Sequence, residues 1–157
     1  MGYWLLKSEP ATFGLTDLEN APDQTTPWEG VRNYQARNFL REGVRLGDQA
    51  FFYHSGTATP AIVGIVEVVR AGYPDETAFD PASPYYDSAG SPDQPRWYRV
   101  DVRLVRRLKR EITLAELKRH AAVLGDFALL RRGNRLSVLP MTAAQWAFVL
   151  ALETGPP

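Results

Sequence analysis

The stretch Gln49-Ala-Phe-Phe-Tyr-His54, followed after a turn by Ala61-Ile-Val-Gly-Ile-Val-Glu-Val-Val69, decides the fold class. Both runs are rich in β-branched and aromatic residues, and Ser55-Gly-Thr-Ala-Thr-Pro60 between them has the composition of a hairpin loop. They predict two central strands. Working outward, Tyr3 to Lys7 (YWLLK) predicts a short apolar strand that is stopped by Ser8-Glu9-Pro10. Trp97 to Leu108 alternates Tyr98, Val100, Val102 and Leu104 against Arg99, Asp101 and Arg103, the period of a half-exposed strand, and Arg135 to Leu139 predicts a closing strand before Pro140. Capping-box spacing at Thr16 with Glu19, Thr113 with Glu116 and Thr142 with Gln145 opens three helices, the last two running to His120 and Leu152. A fourth is predicted over Val31 to Arg41, directly after Trp28, with Gly43 as its stop. Ala21 to Pro27 reads as a loop, and Gly72 to Pro95, with its prolines and no apolar periodicity, as a long irregular one. With no internal repeat, residues 1–157 read as a single α+β domain: a mixed sheet curled into a small open barrel and flanked by helices.

The chain has 157 residues, 45% of them apolar, and no cysteine. That excludes a disulfide framework, a thiolate zinc site, an iron–sulfur cluster and a cysteine nucleophile, and it suits a reducing compartment. The longest apolar run, Ala61 to Val66, meets Glu67 at once and is too short to cross a bilayer; the N-terminus lacks a charged leader and a cleavage site, so a cytoplasmic location is expected. The two histidines, His54 and His120, have no metal-ligand spacing, and neither a phosphate loop nor a Gly-x-Ser-x-Gly elbow is present. No metal or cofactor is expected.

A net charge of zero conceals a division along the chain. Arg96 to Arg135 holds 12 Lys or Arg against 4 Asp or Glu, an excess of eight positive charges that the remainder balances with eight negative ones. Such a segment would attract a phosphate backbone if its charge is open to solvent, or would be spent on acids elsewhere in the fold. Uncommon polar residues also gather beside aromatics at element ends: Lys7-Ser8, Trp28, Arg32-Asn33-Tyr34-Gln35 and Tyr53-His54-Ser55. Aromatic rings stack on nucleobases while amides and hydroxyls read their edges, so this is the equipment of a base pocket. Trp28, between a loop and a helix start, is its strongest member.

These blocks resemble the EVE domain, a PUA-like family related to YTH and ASCH domains: Tyr3 to Pro10 (YWLLKSEP), Trp28 to Asn38 (WEGVRNYQARN), Gly47 to Ser55 (GDQAFFYHS), Ile62 to Val69 (IVGIVEVV) and Leu136 to Pro140 (LSVLP). The resemblance implies a PUA-like curled sheet and recognition of nucleic acid through a pocket for a modified base, in particular a modified cytosine in DNA. It implies Trp28 as the aromatic wall, with Arg32, Asn33 and Gln35 lining or supporting it, Tyr53, His54 and Ser55 at a facing strand end, and Lys7 with Ser8 at the end of the first strand. Phosphate contacts are expected from Arg99, Arg103, Arg106 and Arg107. The Gly72 to Pro95 loop departs from the family pattern and bears on the pocket rim. Two other readings remain at this level: a small hydrolase of modified nucleosides using Lys7, Ser8 and Glu67, and a PUA-like RNA-binding module. Protein partners are not identified.

Overall fold

A computed structural model describes residues 1–157. Six strands form one mixed sheet: β1 (Tyr3–Ser8), β2 (Thr25–Pro27), β3 (Gln49–His54), β4 (Ala61–Pro74), β5 (Tyr98–Thr113) and β6 (Val138–Met141), in the spatial order β2-β5-β4-β3-β1-β6. The hairpin β3–β4 lies at the centre, as its apolar composition predicts. β1 runs parallel to β3, and every other pairing is antiparallel. Four register shifts interrupt the β4–β5 ladder, between Ile62 and Gly64, Ile65 and Val66, Val68 and Arg70, and Arg70 and Tyr73. Each bulge bends and twists its strand, which is how two long strands curl the sheet without closing it.

Both faces of the sheet are covered there, so the runs Ala50–Tyr53 of β3 and Ala61–Val66 of β4 are apolar and buried on successive residues. Trp4, Leu6, Ala50, Phe52, Val63 and Val66 belong to one buried cluster, which also contains Trp28. Their chain neighbours Leu5, Phe51, Tyr53, Ile62 and Ile65 belong to the other, built around Trp146 and Phe127. The switch at each residue is the strand period of two. No helix is long and apolar enough to cross a membrane.

The helices are α1 (Pro10–Phe13), α2 (Leu15–Glu19), α3 (Tyr34–Asn38), α4 (Leu114–Arg119), α5 (Ala121–Leu124) and α6 (Ala143–Leu152). α6 has the predicted reciprocal box, with the Gln145 amide donating to Thr142 Oγ1 (3.0 Å) and the Thr142 amide to Gln145 Oε1 (2.9 Å). At α4 the Glu116 amide donates to Thr113 Oγ1 (3.1 Å), but the Glu116 carboxylate turns to Arg110 instead of closing a box. Other boundaries differ from the expectations. α2 starts before Thr16, because the Asp17 carboxylate accepts from the Gly14 amide (2.7 Å) and does the capping. The helix after Trp28 begins only at Tyr34; Asn33 is its N-cap, its side chain accepting from the Ala36 amide (3.0 Å), and a π-helical turn over Phe39–Gly43 continues it. Within the segment read as a loop, Thr25–Pro27 pairs with β5 as an edge strand. Pro140 lies inside β6, which an edge strand tolerates since one side of it needs no amide donor. β4 runs on to Pro74, so the irregular chain starts at Asp75.

Candidate nucleic-acid interface

Edge strand β2 and the segment leading into edge strand β6 contribute to the same cavity. Thr26 and Pro27 of β2, Lys7 and Ser8 at the end of β1, and Arg135 and Ser137 just before β6 line it, together with Phe13, Trp28 to Asn33 and Tyr85. Its volume of 540 Å³ falls within the ~300–1,000 Å³ of small-molecule pockets. The cavity therefore sits in the seam between one edge of the open sheet and the approach to the other.

Trp28 is only 7% exposed, yet it belongs to the lining. It meets Phe52 edge-on at 5.3 Å between centroids, and its amide donates to the Val100 carbonyl at 2.7 Å, which ties it to β5. Two residues on, Gly30 takes φ +80°, where a side chain would be strained, and a Cβ there would come within 2.6 Å of the Tyr85 ring. The Gly30 position thus lets Tyr85 close over the Trp28–Val31 turn.

The long loop is held by hydrogen bonds in place of secondary structure. Asp75 is fully buried and accepts from the Gly30 amide (2.9 Å), Arg32 Nη1 (3.1 Å) and the Thr77 amide (3.0 Å). Burial pushes the Asp75 carboxyl up, but the bonds from Thr77, Gly30 and Arg32 outweigh it and hold the group below the usual carboxylate range. Arg32 also donates twice to the Tyr85 carbonyl, and its guanidinium lies 5.6 Å from the Tyr85 ring and 5.4 Å from that of Trp97. Arg32 therefore does lie on the lining, but its donors are committed to holding the loop.

Lys7, Ser8, Trp28, Arg32 and Asn33 come together on the cavity; Gln35, Tyr53, His54 and Ser55 are not in its lining. Gln35 is exposed on α3. Tyr53 projects to the opposite face of the sheet from Trp28, in the Trp146 cluster, and burial pushes its hydroxyl up to about 12. His54 lies on the same face as Phe52, packed edge-on against it at 5.6 Å, and its Nε2 accepts from the Leu15 amide (3.1 Å) at the start of α2. An accepting Nε2 is a neutral imidazole, and burial accordingly lowers the His54 pKa. Ser55 donates its amide to the Ser8 carbonyl and so acts as a brace behind the lining strand. Sequence reasoning left out Phe13, Tyr85, Arg135 and Ser137. The signal for Ser137 was present in the LSVLP block, because Lys7 donates its amide to the Ser137 carbonyl (2.9 Å).

Lys7 is a lining cation with no carboxylate partner, half-buried, and burial lowers its ammonium pKa. The Ser8 hydroxyl donates to the Phe13 carbonyl at 2.6 Å. Glu67, the third member of the hydrolase reading, lies on β4 bonded to Arg103 and outside the lining, so those three residues do not assemble.

The four β5 arginines expected to contact phosphates each hold a carboxylate: Arg99 with Glu29 (2.9 Å), Arg103 with Glu67, Arg106 with Glu153 and Arg107 with Glu19 (2.6 Å). Much of the segment's positive excess is therefore cancelled in place. The acids come from regions far away in sequence, which is why charge counting along the chain left this open.

Comparisons with known proteins agree with this architecture. The EVE domain family matches residues 2–152. Thymocyte nuclear protein 1 from Gallus gallus is 48% identical, covering 99% of this chain and 70% of that protein, and the Homo sapiens protein is 45% identical over 99% and 75%. The crystal structure of the human protein in complex with 5-methylcytosine-containing DNA superposes with a TM-score of 0.93 at 45% identity, covering 100% of both chains. A YTH domain of Zygosaccharomyces rouxii, solved with N6-methyladenosine RNA, has a TM-score of 0.52 at 13% identity over 99% of this chain and 86% of its own, and so shares the PUA-like fold alone. From a family match over nearly its whole length, with the motif blocks folded around one seam cavity, the chain belongs to the EVE domain family.

Proposed function

We propose that this EVE domain binds DNA and reads a modified cytosine by taking one unstacked base into the seam cavity. The reading rests on one observation: Trp28, Tyr85 and Lys7 line a single open cavity of 540 Å³. Its similarity to a relative solved with 5-methylcytosine DNA supplies the ligand class. Base stacking on an aromatic ring contributes about 1–3 kcal/mol, comparable with the few kcal/mol that extrusion from a duplex costs. The balance is then set by the edge contacts. Lys7 is an unpartnered donor for the acceptor atoms of a cytosine, and a buried methyl group adds about 0.8 kcal/mol. Discrimination is therefore graded, about fourfold per methyl contact.

Nothing in this arrangement calls for turnover. The Ser8 hydroxyl is engaged with a backbone carbonyl, and no general base stands beside it in the hydrogen-bond network. We assign a reader role without catalysis, with a cytoplasmic location and with RNA as the competing ligand. Competition between matched DNA and RNA tests that choice, because only RNA offers a 2′-hydroxyl.

The deciding measurement compares binding to duplexes with and without one 5-methylcytosine. Trp28→Phe keeps the contact with Phe52 while shrinking the stacking surface, and Lys7→Met removes the donor with little change in volume. Both variants are expected to fold and to lose the preference. Unchanged preference in both would refute the pocket.

A further inference from the structure

Building on the reading above, we infer that the DNA backbone is gripped beside the cavity mouth by the loop before β6, through Arg132 and Arg135, and not along β5. A base extruded into the seam leaves its flanking phosphates at the mouth, so the cations that matter are those at the rim with donors to spare. Arg135 is part of the lining, and both Arg132 and Arg135 are exposed with no carboxylate partner. Arg131, which precedes them in the loop, is paired to Asp126 at 2.8 Å.

The loop is held by hydrogen bonds although Arg132 and Arg135 are free. The Asn134 side chain donates to the Ala128 carbonyl (2.7 Å) and accepts from the Leu136 amide (2.8 Å), and Arg131 donates its amide to Ala128. Ala128 itself is buried in the core. Such an anchored backbone presents the two guanidinium groups at little ordering cost.

The rim is also asymmetric. β1 lies between β3 and β6 in the sheet. Glu9 leans over Gly56 on the β3 side, where a Cβ would meet its carboxyl group at 3.0 Å, while Arg135 stands on the β6 side. A polyanion is repelled from one flank and attracted to the other. Arg37 and Arg96, outside the lining, are engaged: Arg37 donates to the Arg96 carbonyl (2.6 Å) and Arg96 to the Tyr34 hydroxyl (3.2 Å), and both are half-buried.

The test is the salt dependence of duplex binding for the full chain, with and without 5-methylcytosine. In Arg132→Ala/Arg135→Ala the slope of log K against log salt is expected to fall by about 1 per arginine, and affinity to fall about tenfold per arginine on both duplexes alike. Lysine at both positions should restore most of the slope, since a point charge suffices for a phosphate. Arg103→Ala/Arg107→Ala should leave the slope near that of the parent. The inference is overturned if the loop variant keeps the parent slope, or if the β5 variant lowers it as much. A parent protein that binds both duplexes equally would sink the base-pocket reading, and the slopes would still decide where the phosphates lie.

Discussion

Two tryptophans on opposite faces of the sheet have the same burial and different surroundings. Trp28 is 7% exposed and Trp146 is 6% exposed. Trp146 is stacked between Phe51 at 3.9 Å and Tyr3 at 4.8 Å, with its ring committed to aromatic neighbours. Trp28 has one aromatic neighbour, edge-on, and borders the cavity on another side. Fractional exposure does not separate a structural aromatic from a binding one; what matters is whether any of its surface faces space that a ligand could occupy.

The largest effect that would break this contrast lies on the structural side. Trp146→Ala removes a ring sandwiched in a closed core and is expected to cost about 3–5 kcal/mol in denaturant unfolding. The preference for 5-methylcytosine should survive in the folded fraction. A loss of preference at that distance from the cavity would show that the two faces are not independent.

Asp75→Ala sharpens the comparison, because the Trp28 side depends on a loop and the Trp146 side does not. Removing a fully buried carboxylate leaves Arg32 and the Gly30 amide without their acceptor, an expected loss of about 3 kcal/mol. Here base preference should fall together with stability, since the same bonds hold Tyr85 over the cavity. The depressed carboxyl pKa sets the sign of the pH response: this stabilisation is present above the ordinary carboxylate range and is lost as pH falls through the lower folded value.

The smallest expected effect comes from His54, behind the lining strand. Its folded pKa is lowered, first by burial, so its contribution is present above the ordinary value of about 6.5 and is lost as pH falls through the folded value. Melting temperature should decline slightly as pH falls below about 6.5, and His54→Gln should flatten that decline. An identical slope in both proteins would mean that the Leu15 amide finds another acceptor.

Part of the site was legible because its residues sit at the ends of legible elements. Lys7 and Ser8 close a strand whose apolar run stops visibly, and Trp28 to Asn33 precede a helix whose cap is an asparagine. Tyr53 was misplaced for a reason available in the same pattern: Phe52 and His54 share the Trp28 face, so the residue between them must face the other way. Tyr85 was visible only as an aromatic in a long loop, with no period to give it a direction.

The sequence alone determined the central hairpin, the alternation along β5, the Thr142 cap and the family, because periodicity and capping act over a few residues. Only the tertiary structure decided which charges stay free and what covers the cavity. Arg107 is neutralised by Glu19, 88 residues away, and Arg32 is held by Asp75, 43 residues away. Pairings over such separations arise when curled strands and docked loops bring the groups together, and no local pattern in the chain encodes that meeting.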